Sequence, residues 1–203
     1  MKSCSAISKI DKDLSDRIQR QSFGPFETLL LPFGWVFSGP KTIWVALLLT
    51  YYMAKSLSAH CFVPTVGAHE LFAAFHTALY YAGMNLGLIF TIVGKKLEYK
   101  VFGRERPENR ENKRLANLRK IQKNMSMPSG DSVQAAHFAL YNGLALQQPW
   151  LLAIVPCVAF ARVYYHCHWV GDTVVGALCG LSVAALLFGY YTEAASAFYD
   201  YFA

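Results

Sequence analysis

The sequence has few charged residues for its length. Asp, Glu, Lys and Arg make up 16% of the 203 residues, whereas 54% are hydrophobic. Soluble domains average about 25% charged residues. This shortage of charge argues against an ordinary soluble domain and favours a membrane protein, and the length suits a single compact domain.

Cysteine pairs and repeats are also missing, and we expect no leader sequence. The five cysteines are scattered, odd in number and without a Cys-x-x-Cys pair, so we expect buried thiols and neither a disulfide framework nor a zinc site. We find no internal repeat or low-complexity tract. The first twenty residues contain no apolar core, which excludes a secretory signal peptide, and their acidic residues argue against a mitochondrial presequence.

Long apolar segments are what the sequence does contain. A bilayer-spanning helix needs about 20 apolar residues. Residues 25–38 are apolar but short and interrupted by Pro32, which predicts an interfacial or re-entrant helix. The fold class expected is therefore all-α, a polytopic membrane helical bundle with one such short helix and five spans. These spans are 42–58, 69–94, 129–147, 150–166 and 169–191.

The sequence divides into three parts on this layout. An N-terminal amphipathic, cytosolic segment covers residues 1–24, a membrane domain covers 25–192, and a C-terminal tail covers 193–203. The membrane domain contains a basic loop at 95–127, with 11 of the 19 basic residues between Lys95 and Lys123. The positive-inside rule places this loop on the cytoplasmic side or its topological equivalent. The loop, the start of the third span and the turn between the last two spans then share one end of the bundle.

The turn between the last two spans, ARVYYHCHWVGD, carries ionisable residues at the membrane edge. Such residues are functional candidates by default. His168 and Asp172 are four residues apart, so on a helix the carboxylate could fix the imidazole tautomer. Arg162 could bind a phosphate through both arms of its guanidinium. The alternative is an Arg–Asp pair that ties two helix ends together, beside interfacial histidines.

Two further polar segments lie at the same predicted end. In MPSGD, Ser129 can cap a helix that starts at Gly130, and the free N–H groups of a helix start attract anions. The alternative is an ordinary helix cap. The segment KVFGRERP carries Lys100 and Arg106 in the basic loop, where contact with anionic lipid headgroups is the simpler explanation for most of the charges.

Together the three segments resemble the three-part signature of the type 2 phosphatidic acid phosphatase superfamily, which also contains vanadium haloperoxidases. The resemblance covers about residues 40–190 and implies a six-helix phosphatase-like core. The third segment, which has the spacing of the family, is the most specific. The residues that carry the match are Arg106, Pro107, Pro128, Ser129, Gly130, Arg162, His168 and Asp172.

The resemblance also implies roles for individual residues. His168 would be the nucleophile that forms a phosphohistidine, and Asp172 would orient it. The phosphoryl oxygens would be held by Lys100, Arg106, Ser129, Gly130 and Arg162. No metal and no cofactor are expected, because fixed cations would stabilise the phosphoryl charge. His166 and His168 could imitate a metal pair, but no Asp, Glu or Cys partner stands at ligand spacing.

The sequence departs from the family pattern at three positions. Ala161 replaces a serine that is not the attacking group, and Lys100 lies one residue closer to Arg106 than the family spacing. Asp131 stands where the family has the histidine that protonates the leaving alkoxide. Repulsion by a bound phosphate favours the protonated, acid form of Asp131, whereas the neighbouring arginines favour its ionised form. The sequence does not decide between them.

Two functions follow from this pattern. The first is an integral membrane lipid phosphate phosphatase, metal-independent, that hydrolyses a lipid phosphomonoester or a polyprenyl diphosphate with Asp131 as the acid. The alternative is a catalytically silent relative that serves as a membrane scaffold or as a subunit of a larger membrane complex. A transporter fits less well, because the polar residues lie at one end of the spans, and the membrane-embedded body argues against haloperoxidase chemistry.

The expected partners follow from the same hypothesis. They are a lipid phosphate substrate and membrane lipids, with complex partners or a homo-oligomer left open, and no nucleic acid. We expect a multi-pass integral membrane protein. The sequence leaves the organelle open, an endomembrane or mitochondrial location included.

Overall fold

The computed structural model describes residues 2–38, 43–61, 66–101, 104–108, 114–118 and 125–202. This described part is helical and contains no β-strand, which confirms the all-α prediction. Three stretches of the predicted basic loop, 102–103, 109–113 and 119–124, lie outside the described residues.

Seven α-helices follow one another along the described chain. Short 3-10 helices at Gly24–Phe26 and Pro149–Ala153 directly precede the second and sixth α-helices. Each has a proline in its first turn, where the backbone N–H has no partner within the helix and its absence breaks no hydrogen bond. The helices are α1 (Lys2–Arg20), α2 (Glu27–Trp35), α3 (Ile43–Cys61), α4 (Val66–Val101), α5 (Gly130–Ala145), α6 (Ile154–Tyr164) and α7 (Val170–Phe202).

The helices coincide with the predicted spans, but their ends differ. Among the described residues, His69–Leu97 in α4 and Val170–Glu193 in α7 are long and apolar enough to cross a bilayer. Ile43–Leu57 and Pro149–Tyr164 are apolar but shorter, and α5 has 16 residues. The count of five spans therefore stays a prediction. The predicted tail 193–203 is not separate from the last span in secondary structure, since α7 continues to Phe202.

Helices α5 and α7 pack with their backbones in contact at the centre of the bundle. A Cβ atom at Gly176 would lie 2.4 Å from the carbonyl oxygen of Ser129, and one at Gly180 would lie 2.2 Å from that of Val133. Small residues at such a crossing let two helices approach closely inside a membrane. The crossing brings the start of α5 against the first turns of α7, where two of the predicted segments meet.

A buried polar network joins three of the helices through the last turns of α5. His76 Nε2 of α4 lies 3.1 Å from Asn142 Oδ1 of α5, and the Asn142 amide donates to Thr50 Oγ1 of α3 at 3.3 Å. The Tyr141 ring stacks on His76 with 4.8 Å between ring centroids. Hydrogen bonds of this kind hold membrane helices together where apolar contact alone gives little preference.

The outer surface of the bundle is apolar. Large hydrophobic side chains point outward along α3, α4 and α7, among them Leu48, Ile89, Phe90, Leu178 and Leu186. A continuous apolar exterior of this kind is typical of contact with lipid. The polar residues of the predicted site, apart from Lys100, are instead buried between the helix ends.

Candidate active site

His168 lies in the turn between α6 and α7. The N–H groups of Cys167 and His168 both donate to the carbonyl oxygen of Arg162, at 3.0 and 3.3 Å, and this closes the end of α6. His166 adopts a positive φ of 58° within the turn. The turn leaves the His168 side chain only 1% exposed, directly before α7 begins at Val170.

Asp172 faces His168, although not in the way that the spacing predicts. The two residues were expected to share a helix face, but His168 precedes α7 and Asp172 lies in its first turn. The Asp172 carboxylate folds back over the helix start and accepts the Trp169 N–H at 2.8 Å. This brings Asp172 Oδ2 to 3.7 Å from His168 Nδ1, so the carboxylate faces this ring nitrogen at slightly more than hydrogen-bond distance.

Two residues that the sequence analysis missed hold the Asp172 carboxylate. The Ser126 hydroxyl donates a short hydrogen bond to Asp172 Oδ2, and Arg104 Nε lies 3.3 Å from Asp172 Oδ1. Both residues stand beside predicted ones in the chain, Arg104 two positions before Arg106 and Ser126 three before Ser129. Their proximity to the motifs was the only signal available in the sequence.

Arg106 lies on the other side of the imidazole. Its Nη1 donates to the Cys167 carbonyl oxygen at 2.6 Å and is 3.1 Å from His168 Nε2. A guanidinium can only donate, so Nε2 must offer its lone pair and the ring proton must sit on Nδ1, toward Asp172. His168 therefore has an unprotonated Nε2, whose lone pair is held by the Arg106 guanidinium.

Arg162 and Asp131 form a buried ion pair. Arg162 Nη2 is 2.7 Å from Asp131 Oδ2, and Arg162 Nη1 donates to the carbonyl oxygen of Gly34 at 2.7 Å. The Arg162 residue is 0% exposed and Asp131 is 8% exposed. Removing one partner of such a pair is strongly destabilising, because the other charge is left buried and unpaired. A phosphate that binds Arg162 has to compete with the Asp131 carboxylate.

The start of α5 reaches the same site. Ser129 is the N-cap, as predicted, and its hydroxyl accepts the Ser132 N–H at 3.4 Å. The Ser129 N–H donates to the Asp172 carbonyl oxygen at 3.0 Å, which joins the second and third segments directly. The first-turn N–H groups of α5 that could meet an anion therefore begin with Gly130.

Lys100, the predicted lysine, is exposed in the last turn of α4. Lys95 lies more than one turn earlier on the same helix and is half-buried. Its ammonium group interacts electrostatically with Arg106, Arg162, Asp131 and Asp172. The sequence analysis missed Lys95. The only feature of the sequence that could have indicated it is its position directly after the apolar run of α4. The structure thus brings together all the predicted site residues except Lys100.

A second polar cluster anchors the loop that carries Arg106. The Glu27 carboxylate accepts the Leu115 N–H at 2.9 Å, an Arg114 N–H at 3.2 Å and a short hydrogen bond from the Tyr164 hydroxyl. Burial alone would raise the pKa of Glu27. The three hydrogen bonds together lower this pKa by more than burial raises it, so the pKa lies below its usual value. The Arg114 guanidinium lies 3.7 Å from the centre of the Tyr164 ring. The loop is therefore fixed to α2 and α6 by a charged carboxylate.

The charges around His168 are mostly positive. In the described part of the chain, no three His, Cys, Asp or Glu side chains are grouped so that they could hold a metal ion. Burial lowers the pKa of His168 well below its usual value, and the positive charges of Arg106 and Arg162 lower it further. The imidazole is therefore neutral at pH 7.

We expect this neutral imidazole to make stability depend on pH. Folding holds His168 unprotonated, whereas the unfolded chain binds a proton below about pH 6.5, so its contribution to stability is present above that pH and is lost as the pH falls. Between about pH 7.5 and about pH 5.5, the melting temperature of the wild type should therefore fall more than that of His168→Gln. The extra fall should be about 2–4 °C for each kcal/mol by which the free energy of unfolding decreases. Equal decreases, measured by thermal unfolding in detergent, would show that His168 takes up its proton at the same pH in the folded and the unfolded protein.

The chain resembles known proteins in sequence pattern and in fold. The model of the PAP2 superfamily matches residues 77–195. A crystal structure of a transmembrane PAP2 type phosphatidylglycerolphosphate phosphatase from Bacillus subtilis superimposes with a TM-score of 0.66 at 16% identity, covering 93% of this chain and 87% of that one. The crystal structure of Aquifex aeolicus LpxE superimposes with a TM-score of 0.59 at 17% identity, covering 88% and 94%. No curated protein sequence matches the chain.

The matched segment spans more than half of the chain, and the chain belongs to the PAP2 superfamily. This confirms the family that the three segments indicated. The fold is that of a membrane-embedded PAP2 protein, and the residues that carry the match surround one buried histidine. At these identities the solved structures establish the fold only.

Proposed function

We propose that this protein is a membrane lipid phosphatase that hydrolyses a lipid phosphomonoester or a polyprenyl diphosphate through a phosphohistidine. The observation that carries the proposal is the placement of His168, whose unprotonated Nε2 faces Arg106 at 3.1 Å while Asp172 lies behind Nδ1. Membership of the PAP2 superfamily supports a phosphatase of this general class.

The reaction begins with the Nε2 lone pair of His168. It attacks phosphorus, the bond from phosphorus to the lipid oxygen breaks, and the leaving alkoxide takes a proton. Asp172 stabilises the positive charge that develops on the imidazole. A water molecule then attacks the phosphohistidine and gives a proton back to the group that protonated the alkoxide, which releases orthophosphate and restores both the neutral ring and the acid.

Fixed cations hold the phosphoryl group during both steps. Arg106, Arg162 and Lys95 are already gathered around His168, and charge spreads over the equatorial phosphoryl oxygens in the transition state. Arg106 contacts His168 Nε2, and Arg162 contacts Asp131. We infer that the phosphate takes over both guanidinium groups, which exposes the Nε2 lone pair and releases the Asp131 carboxylate.

Asp131 is the acid in this proposal. Once Arg162 has turned to the phosphate, the negative charge of the substrate favours protonation of the nearby carboxylate. The protonated Asp131 can then give its proton to the leaving alkoxide, as a general acid. The start of α5 places Asp131 on the same side of the site as the N–H group of Gly130.

The buried Asp131–Arg162 pair also supports a second function. If phosphate cannot displace this carboxylate, the site is closed and the chain is a silent relative with a scaffolding role in a membrane complex. An unpaired Arg162 would then be destabilising, and the pair would serve stability alone.

A phosphate-release screen tests the proposal. The purified protein, in detergent with a metal chelator, is offered phosphatidate, lysophosphatidate, a sphingoid phosphate and a polyprenyl diphosphate. We expect release of orthophosphate from at least one of them despite the chelator, since arginine and lysine stabilise the phosphoryl charge. Absence of release from every substrate would favour the silent relative.

A further inference from the structure

Helix α1 supplies hydrogen bonds to the start of α7. The Ser15 hydroxyl oxygen accepts the Val170 N–H at 2.9 Å, and Asp11 Oδ1 accepts the Gly171 N–H at 2.8 Å. Ser15 is 0% exposed, and its own hydroxyl donates to the Asp11 carbonyl oxygen at 2.8 Å. The first N–H groups of a helix have no partner within it. In α7 they are satisfied by residues that lie about 155 positions earlier in the chain.

Asp11 also connects to the acid behind the nucleophile. Its Oδ2 forms a short ion pair with Arg104 Nη2, and Arg104 Nε lies 3.3 Å from Asp172 Oδ1. Arg104 therefore contacts two carboxylates, that of Asp11 through Nη2 and that of Asp172 through Nε. Since Asp172 Oδ2 faces His168, the contacts run without a gap from Asp11 through Arg104 and Asp172 to the imidazole.

The fit between the two helices depends on a glycine. A Cβ atom at Gly171 would lie 2.8 Å from Asp11 Oδ2, which is closer than side chains come to one another. The Asp11 side chain is 11% exposed and that of Arg104 is 22% exposed, so the ion pair is largely shielded from water. An ion pair that is shielded in this way is stronger than one on the surface.

We propose that Asp11 and Ser15 are positioning residues of the active site, which hold the start of α7 and balance the charge of Arg104 so that Asp172 stays directed at His168. This inference rests on the proposed phosphatase function. Without Asp11, Arg104 would act on Asp172 alone and draw the carboxylate away from the imidazole. Residues that orient a reacting group in this manner affect turnover although they do not touch the substrate.

Asp11→Asn tests the proposal, with Asp13→Asn as the matched control. Asn keeps the size of the side chain and removes its charge, and Asp13 is an exposed residue of the same helix. We expect Asp11→Asn to lower kcat roughly 10- to 100-fold. KM should change by less than about threefold, because Asp11 acts on the chemical step and not on lipid binding. Asp13→Asn should leave both constants unchanged.

Two outcomes would overturn the proposal. One is an unchanged kcat in Asp11→Asn. The other is a raised KM with an unchanged kcat, which would mean that α1 only binds lipid or the membrane surface. If Asp11→Asn does not fold, Ser15→Ala removes the hydrogen bonds to the Val170 N–H and to the Asp11 carbonyl oxygen but keeps the Asp11–Arg104 ion pair, and it should lower kcat in the same way by a smaller factor. An unchanged kcat in that variant would equally overturn the proposal.

A measurement that needs no turnover separates this proposal from the proposed function. Hydrogen exchange at the Val170 and Gly171 amides should become faster in Asp11→Asn and stay unchanged in Asp13→Asn. Unchanged exchange in Asp11→Asn would refute the link between α1 and α7. A wild type that releases no phosphate overturns the proposed function, whereas an active wild type with a fully active Asp11→Asn overturns the positioning role alone.

Discussion

His168→Gln is expected to lower kcat/KM for a lipid phosphate at least about 10³-fold. Glutamine can still accept a hydrogen bond from Arg106 at the position of Nε2, but its amide has no lone pair that can attack phosphorus. The loss should therefore fall on the chemical step, with KM little changed. The measurement is the release of orthophosphate under steady-state conditions in detergent.

His166→Asn is the matched control for this variant. His166 lies two residues earlier in the same turn, is 3% exposed and has a positive φ, which asparagine tolerates. It should keep most of the activity. A second readout is label from a phosphate-labelled substrate, which should stay on the wild type as an acid-labile phosphoenzyme and be absent from His168→Gln. Equal phosphate release by both variants and the wild type would refute the role of His168.

The sequence was sufficient for the fold class and for the approximate position of the helices. The charged fraction and the long apolar runs predict a helical membrane bundle, and Ser129 marks the start of α5 correctly. The helix ends were less predictable. Helix α4 continues to Val101 and α7 to Phe202, beyond the predicted ends of their apolar runs, because helix-forming residues continue the helix after the apolar residues have ended.

The site was predictable only where its residues stand in recognisable spacing. His168, Asp172, Arg106 and Arg162 follow a pattern that can be read along the chain, and the fold brings them together. The partners of Asp172 follow no such pattern. Ser126 and Arg104 come from segments 46 and 68 residues earlier, and Asp11 from a helix near the N-terminus. Their proximity is a result of tertiary packing, which no local spacing records.

The partner of the Asp131 carboxylate is defined by the structure and not by the sequence. From the sequence, a bound phosphate favours the acid form of Asp131 and nearby arginines favour its ionised form, without a decision between them. The structure identifies the arginine as Arg162, whose Nη2 lies 2.7 Å from Asp131 Oδ2 in a buried ion pair. The question becomes whether substrate can displace this pair, and that is open to experiment.

Asp131→Asn is expected to lower kcat for an alkyl lipid phosphate about 10²- to 10⁴-fold, the range over which general acids contribute. Asparagine keeps the shape of the side chain but cannot donate a proton to the leaving alkoxide. It also leaves Arg162 without its anionic partner, so the phosphate meets less competition and KM should fall. A lower kcat together with a lower KM would thus report both roles of Asp131 in one steady-state measurement.

The leaving group provides the control for this variant. An aryl phosphate releases a weakly basic phenolate that needs no proton, so Asp131→Asn should hydrolyse it at close to the wild-type rate. His168→Gln should fail with both substrates, because the nucleophile is needed for either. If Asp131→Asn loses the same factor in hydrolysis rate with alkyl and with aryl phosphates, then Asp131 supports the structure of the site and donates no proton. A large gain in Asp131→His with the alkyl substrate would mean that the Asp131–Arg162 pair restrains an otherwise competent site.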